Sequence, residues 1–220
     1  MRITNRTQRK TVALVAALVV VLLTGGGVAG VAGSSGASGG TGNAAAQEDA
    51  APGTVVSDGL RHAVPAVLQE AVVTKVTDGD TLHVSVEGRD EKVRLIGINT
   101  PESVAPQEGR NTEEGVEASD YMKSILHVGD TVYLQPDTES EDKYGRLLRY
   151  VWTARPDSLT DRAAVEASML NARLVADGYA VAHRYAPNDA YADVFADIQD
   201  EARASGVGLW TEGDAWAEGL

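Results

Sequence analysis

The 220-residue chain contains no cysteine, and this absence removes several kinds of chemistry at once. Without thiols, the protein has no disulfide bonds, no thiolate metal ligands, no cysteine nucleophile and no cysteine to carry a lipid. Aromatic side chains are also scarce, at 5% of the residues. The stability of the folded state must therefore come from packing.

Basic residues are also fewer than acidic ones. The chain carries 19 lysines and arginines against 32 aspartates and glutamates, which gives a formal net charge of −13. General attraction to nucleic acid depends on lysine and arginine displacing counterions from phosphates, so this acidity weakens non-specific binding to polyanions. Any site for a polyanion must therefore be local. Solubility or a salty environment explains the acidic surface better than an acidic partner does.

A long apolar run occurs only near the N-terminus, where residues 12–23 are uncharged and follow a basic stretch at residues 2–10. This layout is typical of a secretory signal, and residues 1–32 are also long enough to remain as a membrane anchor. We expect export, with the protein either secreted to the extracellular space or anchored at the outer face of the cell membrane. Membrane contact is expected only through this segment.

Residues 33–69 are predicted to be a flexible linker, because glycine, alanine and serine dominate the first half. The second half, residues 55–69, is mixed in composition and suits a short strand or helix on the domain edge. The folded domain is expected at residues 70–213, followed by a C-terminal tail at residues 214–220. A domain of that size is large enough for one hydrophobic core.

Alternation of apolar and polar residues predicts five β-strands in this domain. The strands are predicted at residues 71–76, 81–86, 92–98, 131–135 and 147–153. Helical spacing of apolar residues predicts helices at 112–126, 164–177 and 191–204. This order indicates an α+β domain, a five-stranded OB-fold Greek-key β-barrel with about three flanking helices. The acidic run at residues 137–142 is interpreted as a mobile charged loop.

Three short blocks at the edges of these strands carry the candidate chemistry. They are Asp78-Gly79-Asp80-Thr81, the stretch from Arg94 to Glu102, and Asp142-Lys143-Tyr144-Gly145-Arg146. Together they supply an oxygen ligand for a hard cation, one candidate base and two arginines. A phosphodiester repels hydroxide and gains negative charge as it reacts, so cations placed around phosphorus lower the barrier. The blocks therefore predict a site that cleaves phosphodiester bonds.

With Gly208-Leu209-Trp210 after them, these blocks resemble in order and spacing those of the thermonuclease, or staphylococcal nuclease-like, family. The resemblance covers residues 71–212. It implies an OB-fold barrel and a calcium-dependent nuclease that hydrolyses DNA with little sequence preference, and it leaves open whether RNA is also a substrate. It implies no protein partner, and we expect a monomer.

The resemblance also implies a role for each matching residue. Arg94 and Arg146 would stabilise charge on the phosphate, since a guanidinium binds two phosphate oxygens at once. Glu102 would act as the general base, or would only order water and the loop; the sequence leaves both roles open. The residues expected to bind Ca²⁺ are Asp80, Asn99 and, through its carbonyl group, Thr100. The residues expected to contact the nucleotide are Lys143, Tyr144 and Tyr185.

The chain departs from the family pattern at positions that matter for binding. Asn99 stands where a second metal-binding aspartate is usual, so one ligand charge is missing. We therefore predict a calcium dissociation constant of about 10⁻⁴ to 10⁻³ M. Gln107 and Glu108 replace a basic loop, and His183 replaces a tyrosine near the nucleotide. Weaker substrate binding is expected from these changes.

Two other classes of function are weighed against the nuclease. A catalytically weak OB-fold module that only binds nucleic acid would agree with Asn99 and with the acidic surface. The joint presence of Arg94, Glu102 and Arg146 argues against it, because a binding module has no need of all three. The third hypothesis is an anchored structural protein at the cell surface, with an incidental similarity of fold.

Overall fold

The structure, a computed structural model, describes residues 54–55, 59–103 and 111–220. All of these belong to one compact unit of the chain, residues 46–220. The predicted signal or anchor lies outside the described residues, and so do Gln107 and Glu108. Among the helices that are described, none has the length and apolar character needed to cross a membrane.

Five strands close into a barrel, which confirms the predicted OB-type α+β fold. In chain order the strands of the structure are β1 (Thr54–Val55), β2 (Val64–Pro65), β3 (Gln69–Val76), β4 (Thr81–Val86), β5 (Arg89–Leu95), β6 (Ile98–Asn99), β7 (Thr131–Gln135), β8 (Leu147–Trp152) and β9 (Val181–Ala182). The barrel order is β3-β4-β5-β8-β7, and β7 pairs back onto β3. Strands β5 and β8 run parallel, whereas the other barrel pairs are antiparallel.

The barrel is filled by aliphatic side chains that alternate along its strands with polar ones. The fully buried members include Leu82, Val84, Val93, Leu95, Val132, Leu134 and Val151. Their β-branched and γ-branched shapes suit the pleated inner surface, and their burial is the main stabilising contribution to the domain. Strands β4 and β5 are joined by a tight turn at Glu87 and Gly88, whose φ angles of 50° and 81° are those of a two-residue hairpin.

Four α-helices of the described chain flank the barrel. They are α1 (Glu113–Ile125), α2 (Arg162–Ser168), α3 (Leu170–Ala176) and α4 (Ala192–Ser205). Helix α1 begins at Thr112, whose hydroxyl accepts the Gly115 N–H, and helix α4 ends at Gly206 in the left-handed conformation. The single helix predicted at 164–177 is wrong in one respect: Met169 is extended and pairs with Trp152, which divides it into α2 and α3.

The predicted strand at residues 92–98 also differs from the structure, because β5 ends at Leu95. Gly97 has a φ of 79°, and a Cβ atom there would lie 2.6 Å from the Phe195 ring. The chain therefore turns at Gly97, and β6 then pairs with β9 instead of with the barrel. The buried Asn171 side chain holds this turn, since it donates to the Ile96 carbonyl and accepts the Val151 N–H.

Residues 59–65, just before the barrel, pack against it. Val64 is fully buried, and the Arg61 N–H donates to the Ala190 carbonyl at 2.9 Å. The mixed-composition stretch before residue 70 thus contains a short paired strand, β2, whose Val64 packs into the core.

Candidate active site

Asp80 is held in a fixed orientation at the end of the barrel where β4 begins. The side chain is almost buried, with 7% of the residue exposed. Its Oδ2 atom accepts hydrogen bonds from the Thr100 N–H at 3.2 Å and the Thr100 hydroxyl at 3.1 Å, and its Oδ1 atom accepts from the Thr81 hydroxyl at 3.0 Å. Two of the predicted metal ligands, Asp80 and Thr100, are therefore in direct contact.

Arg94 connects the same residues from the neighbouring strand. Its guanidinium Nη2 lies 3.1 Å from the Asp80 carboxylate and donates to the Asn99 amide oxygen at 2.9 Å. The Arg94 side chain is only 12% exposed, so this ion pair is largely shielded from water. Arg94 thus bridges Asp80 and Asn99, its Nη1 atom donates to the Leu95 carbonyl, and the residue also lines the adjoining pocket.

Asp78 adds a second carboxyl group close to Asp80. Its Oδ1 atom accepts the Asp80 N–H at 3.3 Å. Burial raises the pKa of Asp78 to about 6, and the negative charge of Asp80 adds to the effect. At neutral pH this end of the barrel therefore carries more negative charge than the single guanidinium of Arg94 offsets.

The donor atoms at this end of the barrel suit a weakly held calcium ion. Within the described residues, no three acidic or histidine side chains are arranged to hold a metal. The candidate oxygens are the Asp80 carboxylate, the Asn99 amide and the Thr100 carbonyl, which are ligand types that Ca²⁺ takes. The Asp80 and Asn99 oxygens also contact Arg94, so a bound ion would share them with this guanidinium. The excess carboxylate charge shown by Asp78 favours a cation, whereas the small number of charged ligands limits its affinity.

The third motif block forms a tight turn that fixes Arg146. The Asp142 carboxylate accepts the backbone N–H groups of Tyr144 and Arg146, and the Arg146 Nε atom donates to it at 2.6 Å. Burial alone would raise the pKa of Asp142, but these hydrogen bonds and the charge of Arg146 outweigh it and lower the pKa. Asp142 therefore stays ionised and orients the guanidinium.

Arg94 and Arg146 line the same pocket, although 52 residues separate them in the sequence. The pocket has a volume of about 230 Å³, and Tyr185 forms part of its wall. This is smaller than most ligand pockets, and it suits a phosphate group with part of a nucleotide. The structure thus brings two arginines of distant motif blocks to one small cavity, and a guanidinium is the group best suited to bind phosphate oxygens.

The aromatic residues predicted to contact the nucleotide are accessible. Tyr144 is 72% exposed on the turn before Arg146, and the Lys143 ammonium lies 5.0 Å from the centre of its ring. Tyr185 is 46% exposed, and its ring lies 4.1 Å from the ring of His183. The Arg146 guanidinium also lies 5.7 Å from the centre of the Tyr144 ring, so this exposed ring is adjacent to an arginine of the pocket.

Glu102 is close in sequence to Thr100, which contacts Asp80. It lines a depression other than the pocket of Arg94 and Arg146. It is exposed and follows Thr100 by two residues, which places it within about 7 Å of that residue along the chain. The Glu102 carbonyl accepts the Thr112 N–H at 3.0 Å, and a Cβ atom on Gly115 would lie only 2.2 Å from that carbonyl. Its depression, about 390 Å³ in volume, is also lined by Trp216 of the predicted C-terminal tail.

Sequence reasoning missed the residues that support the pocket wall. Glu139 and Asn188 line the pocket and exchange two hydrogen bonds, the Glu139 N–H to the Asn188 side chain at 2.7 Å and the return bond at 3.0 Å. These residues are 49 positions apart, so no local pattern indicates that they meet.

A second missed group anchors this wall from behind. Asp137 is 6% exposed and accepts hydrogen bonds from the Tyr150 hydroxyl and the Ala190 N–H. Its other oxygen lies 2.6 Å from the His62 ring, whose second nitrogen is 3.5 Å from Asp189. The run at 137–142 is therefore fixed at its first residue, which corrects the expectation of a mobile loop. His62, which matches no sequence motif, connects residues 59–65 to the wall.

An OB-type barrel with two arginines at one pocket defines a class of small proteins suited to bind phosphates. Comparison with known proteins identifies the family within this class. The family model of the staphylococcal nuclease homologues matches residues 92–212. Thermonuclease from Staphylococcus intermedius is 39% identical over 142 residues, which is 63% of this chain and 74% of that protein. Thermonuclease from Staphylococcus hyicus is 34% identical over 162 residues, 72% of this chain and 84% of that protein.

A much longer protein contains a region that is similar to this chain. The endonuclease YhcR of Bacillus subtilis is 32% identical over 157 residues, which cover 68% of this chain and 12% of that protein. The chain thus belongs to the staphylococcal nuclease homologue family, as the motif blocks indicated.

Proposed function

We propose that this chain is an exported, calcium-dependent nuclease that hydrolyses phosphodiester bonds of DNA with little sequence preference, and that RNA is its second candidate substrate. Membership of the family gives the enzyme class, a nuclease. Calcium use, substrate range and export are the proposed parts. The observation that carries the proposal is the pocket shared by Arg94 and Arg146, beside the Asp80 carboxylate that pairs with Arg94.

The two arginines bind and stabilise the reacting phosphate. A phosphodiester in the pocket receives hydrogen bonds from both guanidinium groups, which offset the charge that builds up on its oxygens during attack. Arg94 is kept rigid by Asp80 and Asn99, and Arg146 is kept rigid by Asp142. Because these contacts already exist, the site needs little reorganisation when the transition state forms.

Glu102, which lines the neighbouring depression, is assigned either to take the proton from the attacking water or to order that water. Thr100, two residues before it, is hydrogen-bonded to Asp80, so the Glu102 backbone is tied to the same end of the barrel. A bound Ca²⁺ held by Asp80, Asn99 and Thr100 would supply further positive charge for the phosphate and the water. Lys143, Tyr144 and Tyr185 hold the neighbouring phosphate and base, and stacking of this kind contributes about 1 to 3 kcal/mol per base.

Cleavage of a fluorogenic DNA strand by the purified chain tests this proposal. We expect activity with Ca²⁺, loss of activity with chelator, and a fall in kcat of at least about 100-fold for Glu102→Gln and for Arg146→Ala. Arg155→Gln serves as the matched control. Arg155 is exposed and lies over the Tyr133 ring, and it comes after the end of β8, whereas Arg146 comes before its start. Full activity in chelator would overturn the role of Asp80 as a metal ligand.

The same experiment distinguishes a nuclease from a module that only binds nucleic acid. A nucleic-acid-binding module would retain DNA without cutting it in millimolar Ca²⁺, and the presence of Glu139 in the pocket wall is the observation that favours such a weakened site. Export is supported by the basic and apolar pattern of residues 1–32. Detection of the protein in the medium, in the membrane or inside the cell by fractionation distinguishes secretion, anchoring and retention.

A further inference from the structure

Two lysines and a histidine form a line across the outer face of the barrel next to the pocket. Strand pairing places Lys75 of β3 opposite His83 of β4, and His83 opposite Lys92 of β5. In the parallel pair of β5 and β8, Val93 lies opposite Leu147, and continuing this register by one residue puts Lys92 level with Arg146. We call Lys75, His83 and Lys92 the basic row; it runs outward from the arginine of the pocket.

The basic row and the pocket lie on the same side of the sheet. Lys92 precedes Arg94 by two residues on β5, so the two side chains share a face, and Val93 between them is fully buried on the other face. Lys75 and Lys92 are exposed, and His83 is partly so. With strands about 4.8 Å apart, the distance from Arg146 to Lys75 across the sheet is about 14 Å.

The basic row is a local exception on an acidic protein. The chain has a net charge of −13, and the part that the structure describes contains Lys75, Lys92, Lys123 and Lys143. Three of these four lie in the basic row or on the turn beside Arg146. One carboxylate contacts the row: Asp90 lies 3.4 Å from His83 and accepts a hydrogen bond from Thr74. Lys123 lies next to Asp120 on helix α1 and lines one shallow depression together with Lys75.

We propose that the basic row binds the phosphate backbone of single-stranded nucleic acid where the strand leaves the pocket. This inference rests on the proposed function. Exposed lysines in line with the pocket are suited to follow a flexible strand, whose phosphates they contact without reading sequence. A pocket of about 230 Å³ takes only part of a nucleotide, so the rest of a bound strand lies outside it, where the row can contact its phosphates. The row therefore favours unpaired strands of several nucleotides over dinucleotides.

The salt dependence of KM tests this assignment. The double variant Lys75→Gln with Lys92→Gln and each of its single variants are compared with wild type and with the control Arg155→Gln, which removes one positive charge, as each single variant does. All are measured at constant Ca²⁺ on a 20-nucleotide DNA strand and on a dinucleotide. Each phosphate contact on a single strand contributes about 0.7 to the slope of log affinity against log salt. Between 50 and 200 mM salt, KM of wild type on the long strand should rise about sevenfold more than that of the double variant.

Further readouts separate a binding role from a general effect on the fold. The kcat of the double variant and its KM for the dinucleotide should stay at wild-type values, and the control should keep the wild-type slope. An unchanged slope in the double variant would overturn the inference, and so would an equal loss on both substrates. If wild type cleaves neither substrate, the proposed function fails by itself. The slope of the dissociation constant for the uncleaved strand, measured by fluorescence anisotropy, then decides the role of the row.

Discussion

Replacement of Asp78 by asparagine should stabilise the calcium-free protein at neutral pH. Burial and the nearby Asp80 charge raise the pKa of Asp78 to about 6 in the folded state, compared with 3.8 for an ordinary aspartate. The folded state therefore binds this proton more tightly than the unfolded state does. Stability consequently falls as pH rises from about 4 to about 6, and it stays reduced above that range. Two pKa units correspond to about 3 kcal/mol, which is the gain expected for Asp78→Asn at pH 7.5.

Urea denaturation in chelator at pH 4 and pH 7.5 measures this gain. Near pH 4 the carboxyl group is protonated in the folded state, so wild type and variant should have similar free energies of unfolding. The control is Asp90→Asn, because hydrogen bonds from Thr74 and His83 lower the pKa of Asp90. The ionised Asp90 carboxylate therefore stabilises the folded state above pH 4, and this stabilisation is lost as pH falls. Asp90→Asn should consequently be less stable than wild type at pH 7.5.

Calcium gives a second readout of the same charge balance. Because a cation offsets the repulsion between Asp78 and Asp80, added Ca²⁺ should raise the Tm of wild type more than that of Asp78→Asn. A variant that is less stable than wild type at pH 7.5 in chelator would refute the reasoning, since it would show that the Asp78 carboxylate contributes favourable contacts instead of uncompensated charge.

Two further variants probe the pocket wall and the ion site. His62→Ala should destabilise the protein by about 1 to 3 kcal/mol in urea and raise KM with little change in kcat, because it removes a partner of the buried Asp137. His127→Ala, at an exposed pair with Asp130, is the control and should do neither, while equal effects of both variants would contradict the assignment. Asn99→Asp restores a ligand charge and should tighten Ca²⁺ binding about tenfold in calorimetric titration; unchanged affinity would remove Asn99 from the ligand set.

The features that the sequence predicted well are those set by local patterns. Alternation of apolar residues located each barrel strand to within a few residues. The block from Asp142 to Arg146 located one side of the pocket, and the Asp-Gly turn located the carboxylates beside Arg94. The family resemblance supplied the expected pairing of Arg94 with Arg146, since nothing in the spacing of these residues indicates that they meet. The comparisons confirm the family, whereas the individual residue roles stay predictions.

The features that it missed depend on contacts between distant residues. The break at Met169 follows from its pairing with Trp152, and the end of β5 follows from the fit of Gly97 against Phe195. In the sequence, nothing distinguishes Asp137 from the other acidic residues of the run at 137–142. Only the fold shows that it is buried against Tyr150 and His62. Periodicity reports which face of an element is buried, and it contains no information on which distant element covers that face.

A crystal structure with Ca²⁺ and a dinucleotide whose phosphodiester is replaced by an uncleavable phosphonate tests the central claim most directly. We expect the phosphonate oxygens to lie about 3 Å from the guanidinium groups of both Arg94 and Arg146, with the ion on Asp80. A phosphonate bound in the depression beside Glu102 and Trp216, out of reach of both arginines, would contradict the account.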